Sequence, residues 1–355
     1  MQKIKNIEFL RLVFMLSVVW MHLTAEISKT TGLDCYKEFA RHFANGGKAV
    51  DGFFIISGFL FYLTFKHSTT VIDFIKKKIL RLSPVILFTL IMGFIASLFG
   101  VIKFSFHSAI LTLTFTNVLT DMSIGNWDGL GVTWFVGVLF WVLLFYFYLT
   151  KNFDKKYVNL IFGVITIVSY FLVLKTHHGS LGSPHKTFYG IFNVGFLRGF
   201  ADIGVGYFIG QWYKDNYSSI QNNICSFKQK IAYTALELLF LGIVIVELFI
   251  LNSQHKYNLA IVIDIIILTL LFLLKRGFIS EFVNRDWCVN LAKYSYSIYI
   301  VHMFIFDVLY NFIIKFSGSW YLCPTLFLIP VVVGVLMYHF VEVPCARFLK
   351  KKWFA

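Results

Sequence analysis

The sequence has few charged residues, few prolines and no pattern among its cysteines. Only 14% of its 355 residues are charged, whereas 58% are hydrophobic. A soluble domain carries roughly a quarter charged residues, so this chain could not cover a water-facing surface of its size. Its five cysteines form no CxxC pair and no zinc-type spacing, which excludes a disulfide-rich secreted scaffold. These absences leave a polytopic membrane protein.

Long apolar segments recur along the whole chain. A membrane-spanning helix uses about 20 apolar residues, and a helix satisfies its own backbone hydrogen bonds in lipid. The pattern predicts an all-α, polytopic integral membrane protein with about ten transmembrane helices in a single domain, residues 1–355. The predicted spans are 7–25, 48–66, 80–101, 131–149, 157–174, 190–212, 231–251, 257–274, 289–314 and 322–345.

The net charge of +14 could suggest a nucleic-acid partner. However, the basic residues lie in short runs between the apolar segments, and 21 of the 32 fall on alternate connections that would share one side with both termini. Nine fall on the other side. This is the positive-inside pattern. It predicts a lipid bilayer rather than nucleic acid as the partner, with both termini cytoplasmic.

The first predicted span contains polar residues that lipid does not tolerate alone. A charged side chain in a membrane helix costs roughly 3 kcal/mol, so it is paired or functional. Arg11 and His22 are eleven residues apart, about three turns, and share one helix face. Glu8 can pair with Arg11. The face either lines a cavity or contacts a partner, or else Arg11 snorkels inward and His22 bonds to a neighbouring helix.

The second span carries a carboxylate and small residues. Asp51 lies at its outer end, where it is either an N-terminal helix charge or a group that orients a histidine. Ser57 and Gly58 allow close approach of another helix. Ser57 is also a candidate substrate-binding residue.

Basic residues cluster where the third span begins. Lys78 and Arg81 are three residues apart, at the inner end of that span. Topology signalling alone explains them. The alternative is docking of a phosphate-bearing cytosolic ligand, because Lys and Arg bind phosphate through charge-assisted hydrogen bonds.

Polar residues in the sixth and ninth spans are further candidates for substrate binding. Arg198 and Asp202 are four residues apart, so mutual neutralisation explains them first and cavity lining second. Ser295, Tyr299 and His302 share one polar face. That face indicates either a hydrogen-bonded contact between helices or a substrate site.

Three histidines, His177, His178 and His185, cluster in a predicted outer loop. A metal site needs a defined set of ligands, so this cluster favours a solvated loop. We expect no metal and no permanently bound cofactor.

Several motifs together resemble those of the membrane-bound acyltransferase 3 family, across almost the whole chain. They are Arg11-x10-His22, the stretch GGKAVDGFFIISGF over 46–59, the turn Lys78-x-x-Arg81-x-x-Pro84, the stretch YSYSIYIVH over 294–302, and Glu342-x-Pro344. Each motif alone is common. Their order across ten spans is typical of this family.

The resemblance implies an enzyme of the cell inner (plasma) membrane that moves an acyl group, commonly acetyl, from cytosolic acyl-CoA to an acceptor on the outer side. The family's acceptors are often carbohydrates of surface polysaccharides, glycolipids or peptidoglycan. His22 matches the catalytic histidine, Arg11 its partner, and Lys78 and Arg81 the basic pair that holds CoA. The family usually has two arginines there, and Lys78 keeps the charge without the bidentate fork.

Physical chemistry is compatible with this resemblance. A histidine that takes the proton of an attacking hydroxyl accelerates acyl transfer by about 10²–10⁴-fold, and Asp51 is the candidate to fix its tautomer. The rival hypothesis is a transporter or flippase of a polar or lipid-linked sugar, since buried charges also mark substrate pathways. A membrane scaffold is a third hypothesis, although it gives Arg11 and His22 no purpose.

Overall fold

The computed structural model describes residues 4–30, 45–119, 131–176, 181, 187–188, 192–222, 225–251, 258–311 and 323–354. The helices are α1 (Lys5–Thr30), α2 (Ala49–Thr64), α3 (Val71–Leu98), α4 (Phe106–Leu113), α5 (Trp134–Asn152), α6 (Lys155–Thr176), α7 (Val194–Asp215), α8 (Tyr217–Asn222), α9 (Phe227–Phe249), α10 (Asn258–Leu274), α11 (Phe278–Val283), α12 (Asp286–Ala292), α13 (Ser295–Leu309), α14 (Cys323–Met337) and α15 (Val343–Phe354). The predicted all-α membrane class is confirmed.

Short irregular elements connect some of these helices. The 3₁₀ turns Gly46–Lys48 and Gly131–Thr133 lead into α2 and α5, and a π-helix, Tyr338–Glu342, joins α14 to α15. A two-residue antiparallel pair, β1 (Thr187–Phe188) and β2 (Phe192–Asn193), precedes α7. Sequence analysis did not predict this pair.

Seven helical segments of the described chain are long and apolar enough to cross a membrane, so the predicted count of about ten is not confirmed. A helix nevertheless occupies each predicted span. The three that fall outside the seven differ in length or polarity: α10 has 17 residues, α13 has 15, and α7 carries Arg198 and Asp202. The seven are Lys5–Glu26, Gly46–Thr64, Val71–Leu98, Gly131–Asn152, Lys155–Thr176, Phe227–Phe249 and Leu326–Phe354.

The low apolarity of α7 follows from its central position. Most of its side chains are buried, and the helix packs against α2, α5 and α6. Two glycines permit the closest of these contacts. A methyl group at Gly58 would lie 2.0 Å from the carbonyl oxygen of Ile203, and one at Gly206 would lie 1.9 Å from that of Ile55. The predicted close helix approach at Gly58 is therefore confirmed. Unlike a peripheral helix, whose outer face contacts lipid, α7 is surrounded mostly by other helices.

The peripheral helices show the opposite composition. Large apolar side chains are exposed along α3, α6 and α9, for example Leu98, Ile167 and Leu238. Such a surface would be unstable in water and is suited to hydrocarbon. The charged groups described below lie inside this apolar shell or at one end of it.

The first helix runs through the centre of the bundle beside α2, α12 and α13. Its 26 residues span about 39 Å at 1.5 Å per residue, enough to cross the hydrocarbon layer. Leu10, Phe14 and Val18 are buried on one side of it. We call the face of the bundle at which α1 begins the N-face; α2 ends and α3 begins at that face.

Candidate active site

A cavity of about 530 Å³ lies between α2, α3, α5 and α13, with one residue of α1 in its wall. It reaches the N-face where α2 connects to α3. Five cationic side chains line it: Arg11, Lys66, Lys77, Lys78 and Arg81. No carboxylate occurs among the described residues of the wall. The cavity therefore carries an excess of positive charge, which suits an anionic ligand.

Helix geometry places the predicted basic pair on this wall. Lys78 and Arg81 are one turn apart on α3, and both line the cavity. The ammonium of Lys78 lies 5.2 Å from the ring centre of Phe74, a cation–π distance. Arg81 is exposed to the cavity and keeps its guanidinium available to a ligand.

Carboxylates next to the cavity partly balance these cations. Glu8 accepts a hydrogen bond of 2.8 Å from Arg11, so the predicted pair on α1 is confirmed. Arg81 is within electrostatic range of Arg11, Glu8 and Glu342. The hydroxyl of Ser297 donates a hydrogen bond of 2.5 Å to Glu342, at the end of the π-helix. Glu8 and Glu342 thus reduce the net positive charge around Arg11 and Arg81, while both cations still line the cavity.

Aromatic side chains form the deep end of the cavity. The ring of Tyr299 lies 6.1 Å from that of Phe53 and 5.6 Å from that of Phe135, centre to centre. Its hydroxyl donates a hydrogen bond of 3.2 Å to the carbonyl oxygen of Val132. Ser57 also lines the cavity. Of the predicted substrate-binding residues, Ser57 and Tyr299 therefore lie in this wall.

Two histidines meet beyond the deep end. His302 follows Tyr299 by three residues on α13, so it lies about 4.5 Å farther along that helix. Its ring centre lies 5.7 Å from that of Tyr299 and 5.2 Å from that of His22. His302 is fully buried, whereas His22 is partly exposed. The structure thus brings His22 and His302 together, which the sequence analysis did not predict.

Arg198 pairs with Asp51, so the predicted pairing with Asp202 is wrong. Arg198 donates hydrogen bonds of 2.8 and 2.9 Å to the two carboxylate oxygens of Asp51, and forms no ion pair with Asp202 one turn along α7. The contact between α2 and α7 brings Asp51 opposite Arg198, and a bidentate pair is stronger than an i,i+4 pair. A further hydrogen bond of 3.3 Å joins Arg198 to the carbonyl oxygen of Gly47.

Other partners complete this buried cluster. Asp202 accepts a hydrogen bond of 2.5 Å from the hydroxyl of Tyr170 on α6. Trp134 lies beneath the guanidinium of Arg198, 5.7 Å from the ring centre. Lys48 is buried within electrostatic range of Asp51, Asp202 and Arg198. Neither Arg198 nor Asp202 lines the cavity. Both carboxylate oxygens of Asp51 accept hydrogen bonds from Arg198. The proposed role of Asp51 in orienting His22 stays a prediction.

Several residues of the cavity wall were not predicted as site residues, among them Lys66, Lys77, Tyr296 and Phe135. Tyr296 lines it and donates a hydrogen bond of 2.5 Å from its hydroxyl to the carbonyl oxygen of Leu82. Phe135 closes the deep end. Tyr296 falls within the 294–302 motif, although the motif gave it no role, whereas no sequence signal separates Phe135 from the many other aromatic residues of this chain.

The described residues contain no cluster of three or more His, Cys, Asp and Glu side chains that could hold a metal ion. The three loop histidines, His177, His178 and His185, lie outside the described residues.

Comparison with known proteins gives one family. The Acyl_transf_3 model, described as an acyltransferase domain, matches residues 4–339, nearly the whole chain. No curated protein and no solved structure matches this chain.

Proposed function

The chain belongs to the Acyl_transf_3 family of acyltransferases, and from that premise we propose that it transfers an acetyl group from acyl-CoA to a hydroxyl of a carbohydrate. It is a multi-pass membrane acyltransferase by its family and its apolar helices. In this proposal the N-face is cytoplasmic and admits the donor. The acceptor, a surface polysaccharide or glycolipid, binds from the opposite side of the cell membrane. The donor is a substrate, and no cofactor stays bound.

The cationic cavity is the observation that carries this proposal. Coenzyme A carries its phosphate groups at the nucleotide end, and its acyl group is at the tip of a long, thin arm. Phosphates would bind at the mouth, where Lys66, Lys77, Lys78 and Arg81 supply ammonium and guanidinium donors. The arm would follow the aromatic wall toward Tyr299 and bring the thioester near the two imidazoles. A ligand without negative charge gains nothing from such a mouth.

His22 supplies the base in the proposed reaction. A neutral imidazole has a lone pair available near pH 7, whereas Arg11 stays protonated and cannot act as a base. His22 takes the proton of the acceptor hydroxyl as its oxygen attacks the thioester carbonyl carbon. The new C–O bond forms, the C–S bond breaks, and the thiolate of CoA leaves with the proton from the imidazolium. Arg11, on the cavity wall, either positions the arm of CoA or balances the negative charge of the CoA phosphates.

The test measures release of CoA and formation of an ester together. Purified protein is incubated with acetyl-CoA and a panel of hexose and N-acetylhexosamine oligosaccharides. We expect free thiol to appear only when an acceptor is present, in equal amount to the O-acetyl ester formed. A transporter or flippase would move a sugar without releasing CoA. Transport of the sugar without release of thiol would therefore reject the proposal in favour of that alternative.

A further inference from the structure

His302 has a nitrogen atom that the protein does not use. The side chain is fully buried on α13, and its Nδ1 lies 2.6 Å from the carbonyl oxygen of Tyr299. The other ring nitrogen, Nε2, is buried and has no hydrogen-bond partner. Buried polar atoms are nearly always hydrogen-bonded, so an unpaired one in a native structure calls for an explanation.

The hydrogen bond to Tyr299 fixes the tautomer of the His302 imidazole. A carbonyl oxygen can only accept, so Nδ1 must carry the hydrogen and donate it. In the neutral ring, Nε2 then has a lone pair and can only accept. Whatever completes the site must therefore present an N–H or O–H group to Nε2.

The surroundings of the ring locate this missing donor. Nδ1 faces the backbone of its own helix, so Nε2 lies on the part of the ring that projects away from α13. The neighbouring rings are those of Tyr299, Phe306 and His22, and none of them donates to Nε2. His22 is the proposed base, and its ring centre is 5.2 Å away. The acceptor atom Nε2 is thus next to the place where the hydroxyl substrate would react.

We propose that His302 is a specificity-determining residue that accepts a hydrogen bond from a second donor group of the acceptor, beside the hydroxyl under attack. The inference rests on the proposed function. A hydroxyl has one hydrogen, and His22 takes it in the reaction, so the hydrogen for His302 comes from another group. Two neighbouring imidazoles suit two neighbouring donors, and the acceptor class that supplies them is a vicinal diol.

This role differs from that of a base or of a residue that merely positions His22. A site that hydrogen-bonds a substrate hydroxyl discriminates against the analogue without it, because the buried group is then left unpaired. Loss of His302 should therefore reduce a preference between two acceptors. Loss of a group that acts only through His22 would slow both acceptors equally.

The experiment compares trans-1,2-cyclohexanediol with cyclohexanol as acetyl acceptors, at fixed acetyl-CoA. The two alcohols differ by the second hydroxyl. For the wild type we expect kcat/KM to favour the diol by about tenfold, the usual size of one hydrogen bond, after correction for its two equivalent hydroxyls. In His302→Phe the preference should fall to near one.

Two further variants make the outcome decisive. In His302→Asn the amide N–H can still donate to the carbonyl oxygen of Tyr299, but the shorter side chain has no acceptor at the position of Nε2. The preference should therefore again be lost even if His302→Phe folds poorly. His339→Phe is the matched control, since His339 contacts Tyr294 elsewhere on the bundle, and it should keep the tenfold preference.

The possible results separate this inference from the proposed function. Equal use of both alcohols by the wild type would overturn the inference and leave acyl transfer intact. A preserved preference in slow His302 variants would also overturn it, and would make His302 a positioning residue for His22. Transfer to neither alcohol would overturn the vicinal diol as the acceptor class, and the oligosaccharide test above would decide the proposed function independently.

Discussion

Two regions of this protein hold buried or half-buried charge in opposite ways. At the N-face, the cavity wall carries five cations and, among its described residues, no carboxylate. Around Asp51, two cations and two carboxylates balance, with Arg198 joined to Asp51 by two hydrogen bonds. The first region has more cations than the neighbouring Glu8 and Glu342 balance, and is suited to bind an anion. The second pairs its main charges within the protein and is suited to hold helices together.

The comparison shows why buried charge by itself does not identify a binding site. A charge in a membrane helix must be paired or functional, and only the arrangement of its neighbours separates the two cases. Arg198 has its partner within the protein. Lys78 and Arg81 face a cavity. His22 and His302 lie beyond the aromatic end of the cavity, where the proposed donor and acceptor would meet.

The largest effect should follow the loss of His22. His22→Ala removes the proposed base and leaves the cationic cavity intact, so turnover per folded molecule should fall by roughly 10² or more. Binding of acetyl-CoA, measured on the same samples, should stay unchanged. Near-wild-type turnover would remove His22 from the mechanism and make His302 the leading candidate for the base.

Loss of Asp51 should mainly destabilise the protein. Asp51→Ala leaves the guanidinium of Arg198 buried without its partner, which typically costs about 3–5 kcal/mol. Lys230→Ala is the control, because its ion pair with Glu281 is partly exposed and worth at most about 1 kcal/mol. Thermal unfolding in detergent measures both. If Asp51→Ala unfolded like the wild type but lost turnover, Asp51 would belong to the chemistry, as the sequence suggested.

Loss of Arg81 should weaken donor binding without affecting stability. Arg81→Ala removes a charge-assisted contact to phosphate, so the dissociation constant of acetyl-CoA should rise about tenfold, and high salt should reduce the difference. Lys76 lies on the same helix but does not line the cavity, so Lys76→Ala is the matched control. Equal affinities in the two variants would reject the cavity as the donor site.

The orientation of the cationic cavity across the membrane is tested by chemical labelling, a readout that does not depend on activity. Lys77 and Lys103 are exposed near opposite ends of α3. In a cysteine-free background, a membrane-impermeant maleimide added to intact cells should label Lys103→Cys and spare Lys77→Cys. Labelling in the reverse pattern would place the cationic mouth outside the cell and exclude cytosolic acyl-CoA as its ligand.

Local features of the site were predictable because they depend on helix periodicity. The Glu8–Arg11 pair and the shared face of Lys78 and Arg81 follow from spacings of three residues, and both occur. The apolar runs predicted helices at all ten positions, but not that α7 would be enclosed by other helices. Length and composition of a segment do not reveal whether it meets lipid or protein.

The sequence by itself determined a helical membrane protein with a basic cluster at one end of α3 and a histidine on the face of Arg11. The tertiary structure decided the partners. Arg198 binds Asp51, 147 residues away, because glycine contacts bring α2 against α7. His302 meets His22 because α13 packs on α1. Spacing along one helix is set by its backbone, whereas contacts between helices depend on how the whole bundle packs.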